Sequence, residues 1–235
     1  MKLENAVVLV TGANRGLGLE FARQALEKGA AKVYAGARDP ASITLPGVVP
    51  VRLDVTDPEQ VAAAAAACGD VTLVVNNAGI AQPGSLLDAN GIDAMQRMLD
   101  TNVFGMLRVS QAFAPVLARN GGGAFLNVLS VGSWVSSPFL AAYAVSKSAA
   151  WSLTNGLRIA LREQGTQVLG MHVGFIDTDL TRGIDVPKLQ PAHVVERTYA
   201  ALEDGQKEVL VDELSQKIKR GVAAEPGIYL DLIQR

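Results

Sequence analysis

Tyr143 and Lys147 stand four residues apart in Tyr143-Ala-Val-Ser-Lys147, a stretch with helical patterning, so both side chains fall on one face. Ser130 lies thirteen residues earlier, at the end of the apolar run GAFLNVLS (123–130). A free tyrosine titrates near pH ~10, too high for a base at neutral pH. An ammonium about 5 Å away, at an effective dielectric near 20, favours the tyrosinate by about 3 kcal/mol, or roughly two pKa units. Such a tyrosine can give a proton to a carbonyl oxygen or take one from an alcohol. A serine hydroxyl beside it can hold that oxygen as charge develops. Tyr-x-x-x-Lys alone is a common helix-face pattern; it gains weight from Asn76-Asn77-Ala78-Gly79, Asn102 and Ser130 upstream.

A second group of residues suits a phosphate. In VLVTGANRGLGLEF (8–21) an apolar run breaks at Thr11-Gly12 and reopens as a helical pattern near Leu17. Free N–H groups and the positive helix end then point at one spot, where a pyrophosphate fits. Gly12 allows the tight turn, while Gly16 and Gly18 let backbone, phosphate and strand approach closely. No Lys-Ser/Thr follows the last glycine, so a P-loop does not fit. The acid expected about twenty residues on for NAD would be Asp39, but Asp39-Pro40 reads better as a turn or cap. Arg15 and Arg38 are placed instead to grip a 2′-phosphate through charge-assisted bonds, which favours NADP(H) over NAD.

Positioning these groups requires strands and helices in alternation. The runs at 6–10, 31–36, 48–53, 71–76, 123–130, 167–173 and 208–212 are nearly continuous in apolar character, as in strands buried on both faces. Helical patterns fill 17–29, 57–68, 91–119, 142–164 and 191–204, with Asp57-Pro58 as a start signal and Gly29, Gly69 and Gly165 as stops. The expected fold class is α/β, a doubly wound parallel sheet with helices on both faces, as one domain over residues 1–235. The segment 178–191 is the least patterned and is expected to be a mobile substrate loop.

Composition excludes several functions. Hydrophobic residues make up 49% and charged residues 19%, the balance of a folded chain. A net charge of -2 gives no electrostatic case for nucleic acid or an anionic membrane. Cys68 is the only cysteine and the two histidines, His172 and His193, are well separated, so neither a disulfide nor a clustered metal site is expected. No apolar stretch is long enough for a membrane span or a signal core, and a cytoplasmic location is expected. His172, inside an apolar run, is expected to be a core residue.

In order and spacing, TGANRGLG, NNAG, Asn102, Ser130 and Tyr143-x-x-x-Lys147 resemble the short-chain dehydrogenase/reductase family, over nearly the whole chain and in its compact single-domain, carbonyl-reductase-like branch. The resemblance implies a seven-stranded Rossmann sheet and a catalytic set of Ser130, Tyr143, Lys147 and Asn102. Ser130 would orient substrate, Tyr143 act as acid/base, Lys147 bind the nicotinamide ribose and lower the Tyr143 pKa, and Asn102 hold a relay water. It extends the cofactor set to Gly12, Asn14, Arg15, Gly16, Leu17, Gly18, Arg38, Asp54, Val55, Asn77, Ala78, Gly79, Gly174, Ile176 and Thr178. Asp54 would bind the adenine amino group, and Ile176 and Thr178 the carboxamide. Val173 departs from the family pattern, replacing the usual proline before Gly174.

Substrate is expected against Ser130, Trp134, Phe139, Tyr143, Phe175 and Leu180, a mostly apolar wall suited to an uncharged ketone or aldehyde and its alcohol. The long helices at 91–119 and 142–164 imply a homodimer or homotetramer by the same resemblance. A non-catalytic dinucleotide sensor would have little use for the Ser130–Tyr143–Lys147 group. A lyase or epimerase of this fold would carry a larger substrate region after the seventh strand. The cofactor expectation is testable: Arg38→Asp should swing the NADPH/NADH preference towards NADH in a steady-state assay, and an unchanged ratio would sink the arginine clamp.

Overall fold

The seven apolar runs become seven parallel strands in a computed structural model that describes residues 1–230. The strands are β1 (Val7–Thr11), β2 (Lys32–Ala37), β3 (Val49–Arg52), β4 (Leu73–Asn76), β5 (Ala124–Val128), β6 (Gln167–His172) and β7 (Glu208–Leu210). Their order is β3-β2-β1-β4-β5-β6-β7, so the chain reverses direction across the sheet between β1 and β4. Open α/β sheets bind ligands at that reversal, outside the strand carboxyl ends.

Period-2 alternation explains the continuous apolar runs. Val8, Val10, Leu73, Val75 and Leu126 enter one core, while Leu9, Val74 and Phe125 enter the other. The first core is closed by α1 (Gly16–Glu27) and α6 (Pro191–Glu203). Phe21 meets Tyr199 edge to face at 5.4 Å, and the buried Tyr199 hydroxyl donates to the Phe21 carbonyl at 2.9 Å. The second core is closed by α2 (Pro58–Ala67), α4 (Met106–Arg119) and α5 (Ala141–Ala160). Strand β3 differs from expectation: it is an edge strand and mostly exposed.

The pattern at 91–119 is not one regular helix. It comprises α3 (Gly91–Leu99), a π-helical segment (Asp100–Gly105) and α4. A helix absent from the sequence expectation, α7 (Glu213–Val222), follows β7; Asp212 and Ser215 form its capping box. The 178–191 segment is irregular, as expected, but anchored at its base: Asp177 N and Leu189 O bond at 2.8 Å, Leu189 N and Phe175 O at 2.9 Å. Among the described residues no helix is long and apolar enough to cross a membrane.

At Gly18, α1 comes tight against the loops that follow β1 and β4. A Cβ there would stand 2.1 Å from the Gly12 carbonyl oxygen and 2.5 Å from Asn77 Nδ2. Gly18→Ala should therefore cost about 2 kcal/mol or more in urea unfolding, the scale of overpacking a tight contact; a loss under about 0.5 kcal/mol would show that α1 is free to shift.

Candidate active site

The nucleotide cradle is built where β1 and β4 end side by side. Thr11 Oγ1 donates to Val75 O at 3.2 Å and accepts from the Asn77 and Ala78 amides, each at 3.0 Å. Asn77 Nδ2 returns two bonds, to Thr11 O at 2.9 Å and Gly12 O at 3.2 Å. Gly12 (φ 66) and Gly16 (φ 54) occupy left-handed backbone that a side chain would strain. A Cβ on Gly12 would meet Ala78 Cα at 3.1 Å, and one on Gly16 would meet Thr178 Cγ2 at 3.5 Å. The loop after β1 thus faces Ala78 on one side and Thr178 on the other. Asn14, Leu17 and Gly79 flank the same turn and its neighbour.

Asp39 proves to be a cap: its side chain accepts the Ala41 amide at 3.1 Å. Arg38 is exposed and its guanidinium makes no ion pair among the described residues. Arg15 is exposed too, and its guanidinium lies 3.5 Å from Asp179. Sequence reasoning missed a third cation. Arg52 is paired with Ala37 in the β2–β3 register and donates to the Arg38 carbonyl at 3.2 Å. Only the register brings Arg52 beside Arg38, and register was not readable from spacing. Asp54 Oδ1 accepts both the amide and the hydroxyl of Thr56, at 2.9 and 2.7 Å; no such bond uses Oδ2 among the described residues. Val55 is buried, its side chain where a Cβ on Gly105 would fall. The pieces fit a dinucleotide: a side-chain-free cradle, a cationic edge and a carboxylate with one oxygen in reserve.

The second group assembles beyond β5. Ser130 is buried in extended backbone, and its Oγ accepts the Gly132 amide at 3.0 Å, which leaves its proton to donate. A Cβ on Gly132 would lie 3.4 Å from Ser130 Oγ and 3.7 Å from Tyr143 Cε1, so the hydroxyl and the phenol ring border the same small space. Lys147 Nζ is 5.6 Å from the Tyr143 ring centroid and donates to Val128 O at 2.9 Å.

Electrostatics here differ from the expectation. Burial pushes the Tyr143 phenol up to about 12, with only the Ser130 hydroxyl pulling it down. Burial also pulls Lys147 down to about 8. The spacing is close to the one expected, but the cost of burying charge outweighs the lysine's attraction for a tyrosinate. Tyr143 is therefore a phenol at neutral pH.

Asn102 joins the loop after β4 to α5. It lies in the π-helical segment, buried, with Oδ1 accepting Ile80 N at 2.8 Å and Nδ2 donating to Ile80 O and Ser146 Oγ, each at 2.9 Å. Ser146 Oγ in turn donates to Tyr143 O at 2.7 Å. Both amide hydrogens are spent on protein, so the side chain ties the 77–80 loop to α5. Ser146 was not foreseen, since one more serine on a helix gives no signal.

The expected substrate wall is partly there. Phe139 and Leu180 are exposed and Phe175 is half-buried. Trp134 does not belong to it: it is packed with Ile218 and Trp151, its ring stacked on His172 at 4.0 Å. Gly174 N donates to Asp212 Oδ2 at 3.0 Å, so the loop carrying Ile176 and Thr178 is held at its root by the cap of α7. Val173 is buried and its carbonyl accepts the Val131 amide at 3.0 Å, which keeps this connection in line without the family's proline.

Comparison with known proteins agrees. Residues 6–188 match the family model described as short chain dehydrogenase. The chain is 31% identical over 255 residues to Dehydrogenase/reductase SDR family member 7B of Bos taurus, covering 97% of this chain and 77% of that protein. It is 36% identical over 192 residues to galactitol 2-dehydrogenase (L-tagatose-forming) of Cereibacter sphaeroides, covering 77% and 75%. It also matches, at TM-score 0.95 and 39% identity over 100% of both chains, a crystal structure of a short chain dehydrogenase from Burkholderia cenocepacia J2315 in complex with NADP.

The depressed Lys147 has a consequence for stability. Between about 8 and the ordinary lysine value the unfolded chain binds the extra proton, so stability rises with pH through that window. Below it the buried cation costs roughly 3 kcal/mol. Lys147→Met should accordingly raise the Tm at pH 7 and flatten its rise between pH 8 and 10; a lower Tm at pH 7 would refute this.

Proposed function

The chain belongs to the short-chain dehydrogenase/reductase family, and on that premise we propose that it is an NADP(H)-dependent oxidoreductase interconverting an uncharged, apolar ketone or aldehyde with its alcohol. The observation that carries this is the placing of the Tyr143 phenol against the Ser130 hydroxyl, with the Lys147 ammonium beneath the ring. Bound NADPH would supply the hydride. The chain's own residues then do the rest. Ser130 donates its free proton to the substrate oxygen and holds it as negative charge grows. Tyr143 gives up its phenol proton to that oxygen. Lys147, cationic below about 8, stabilises the tyrosinate left behind. Protonated at neutral pH, the phenol carries the proton that this step needs.

Three features support NADP(H). Arg38 and Arg52 share the strand edge beyond β2 and β3, no acid stands at the end of β2, and the Burkholderia relative holds NADP. Gly12, Gly16 and Gly18 would admit the pyrophosphate, Asp54 Oδ2 the adenine amino group, and Ile176 and Thr178 the carboxamide. Phe139, Phe175 and Leu180 give the apolar preference. Val145 and Ile159, fourteen residues apart on α5, are exposed along one face; a homo-oligomer formed through that helix would cover them.

A panel of apolar ketones and aldehydes with NADPH tests the reading. Tyr143→Phe should lower kcat at least 100-fold while NADPH binding, followed by fluorescence titration, stays within about threefold. In the wild type, kcat for reduction should hold below pH 7 and fall through about 8 as Lys147 loses its charge. A phenylalanine variant that turns over at the wild-type rate would overturn the mechanism. Binding of NADPH with no oxidation by any carbonyl would favour a sensor.

A further inference from the structure

We propose that His172 is a positioning residue that holds Ser130 in place through the Ser130 carbonyl, an inference that rests on the catalytic reading of Ser130. Buried among aliphatic neighbours, His172 would be expected to serve packing alone, and a leucine would do that better. Its polar atoms are engaged, however. His172 Nδ1 lies 3.1 Å from the Ser130 carbonyl oxygen. A carbonyl oxygen only accepts, so Nδ1 carries the hydrogen. The ring's other nitrogen, Nε2, faces Glu208 Oε1 at 3.4 Å, within ion-pair reach but without hydrogen-bond alignment.

Everything around the imidazole limits its movement. Trp134 stacks on it with 19° between the planes. Glu208 on β7 is anchored by Lys219 of α7 at 3.0 and 3.1 Å. Lys219 lies 4.6 Å over the Trp134 ring and 5.2 Å over Trp151. Trp134 belongs to the segment that begins at Ser130, so this segment is gripped twice, at its first carbonyl and at its indole. Backbone bonds complete the grip. Leu129 N donates to Met171 O at 2.8 Å and Val131 N to Val173 O at 3.0 Å. The neighbours of Ser130 bond to the neighbours of His172, and the His172 side chain takes the carbonyl between them. Ser130 Oγ therefore hangs from a backbone fixed at three successive residues. An error of about 1 Å in a reacting group can cost ~100-fold in rate.

Asparagine and glutamine separate the two ring nitrogens. Asparagine sets an amide nitrogen where Nδ1 stands, and glutamine sets one where Nε2 stands. NADPH-dependent reduction should be measured for His172→Asn, His172→Gln and His172→Phe, each alone and combined with Ser130→Ala, with thermal unfolding of every variant. His172→Gln and His172→Phe should lose about 10- to 100-fold in kcat with the KM for NADPH unchanged. His172→Asn should stay within about threefold. In the Ser130→Ala background the phenylalanine should cost nothing further, because its effect passes through the missing hydroxyl. If His172→Phe fails to fold, the contrast between asparagine and glutamine carries the test.

Wild-type kcat in His172→Gln, equal losses in the asparagine and glutamine variants, or an undiminished loss in the Ser130→Ala background would overturn the proposal. Full activity in Ser130→Ala alone would overturn the catalytic reading of Ser130 instead, so the two failures are distinguishable.

Discussion

The contact on which the site depends is the cross-tie between the ends of β1 and β4. Thr11 and Asn77 exchange five hydrogen bonds with each other's backbone and its neighbours. At a point where the strand order reverses, adjacent strands lead into loops that run apart, and their last polar groups would otherwise be left to water. The tie satisfies them and holds the first loop open as a cradle. It also explains why Gly18, in the first turn of α1, has no side chain: Asn77 Nδ2 and the Gly12 carbonyl occupy the volume that one would need.

A second constraint concerns charge. The site holds an ammonium in an enclosed region with one hydrogen bond among the described residues, from Nζ to the Val128 carbonyl. Such an arrangement is poor for stability and good for chemistry: a cation short of partners has most to gain when negative charge appears nearby. Packing elsewhere must carry that cost, and the Phe21–Tyr199 contact and the two continuous cores are where the chain supplies it.

Much of this was legible from residue order. Strand runs were visible because a parallel sheet covered on both faces leaves little room for polar residues, and the glycine spacing followed from the need for close approach. Tyr143 and Lys147 were visible because helical periodicity is local. What was hidden depends on distant parts of the chain. Arg52 joins the cationic edge only through the pairing of β2 with β3. Trp134 leaves the expected substrate wall because α7, and Lys219 on it, reaches back across the sheet end. The sign of the Tyr143 shift was also hidden, since spacing gives the distance between charges and says nothing of the burial they share.

The π-helical segment at Asp100–Gly105 carries a consequence for how this scaffold can vary. A wider turn admits one residue more than an α-turn and rotates everything beyond it by about a quarter circle. Before it, Ala94 and Met98 pack against Ala142 at the start of α5; after it, Val109 and Phe113 pack on the sheet. One continuous rod thereby serves two surfaces that an unbroken helix could not satisfy together, with Asn102 in the turn where they meet. Removing a single residue there would mend the helix and put its two halves out of phase with their partners. The irregularity is thus a phase shifter, and the length of this segment is less free to change than that of any surface loop.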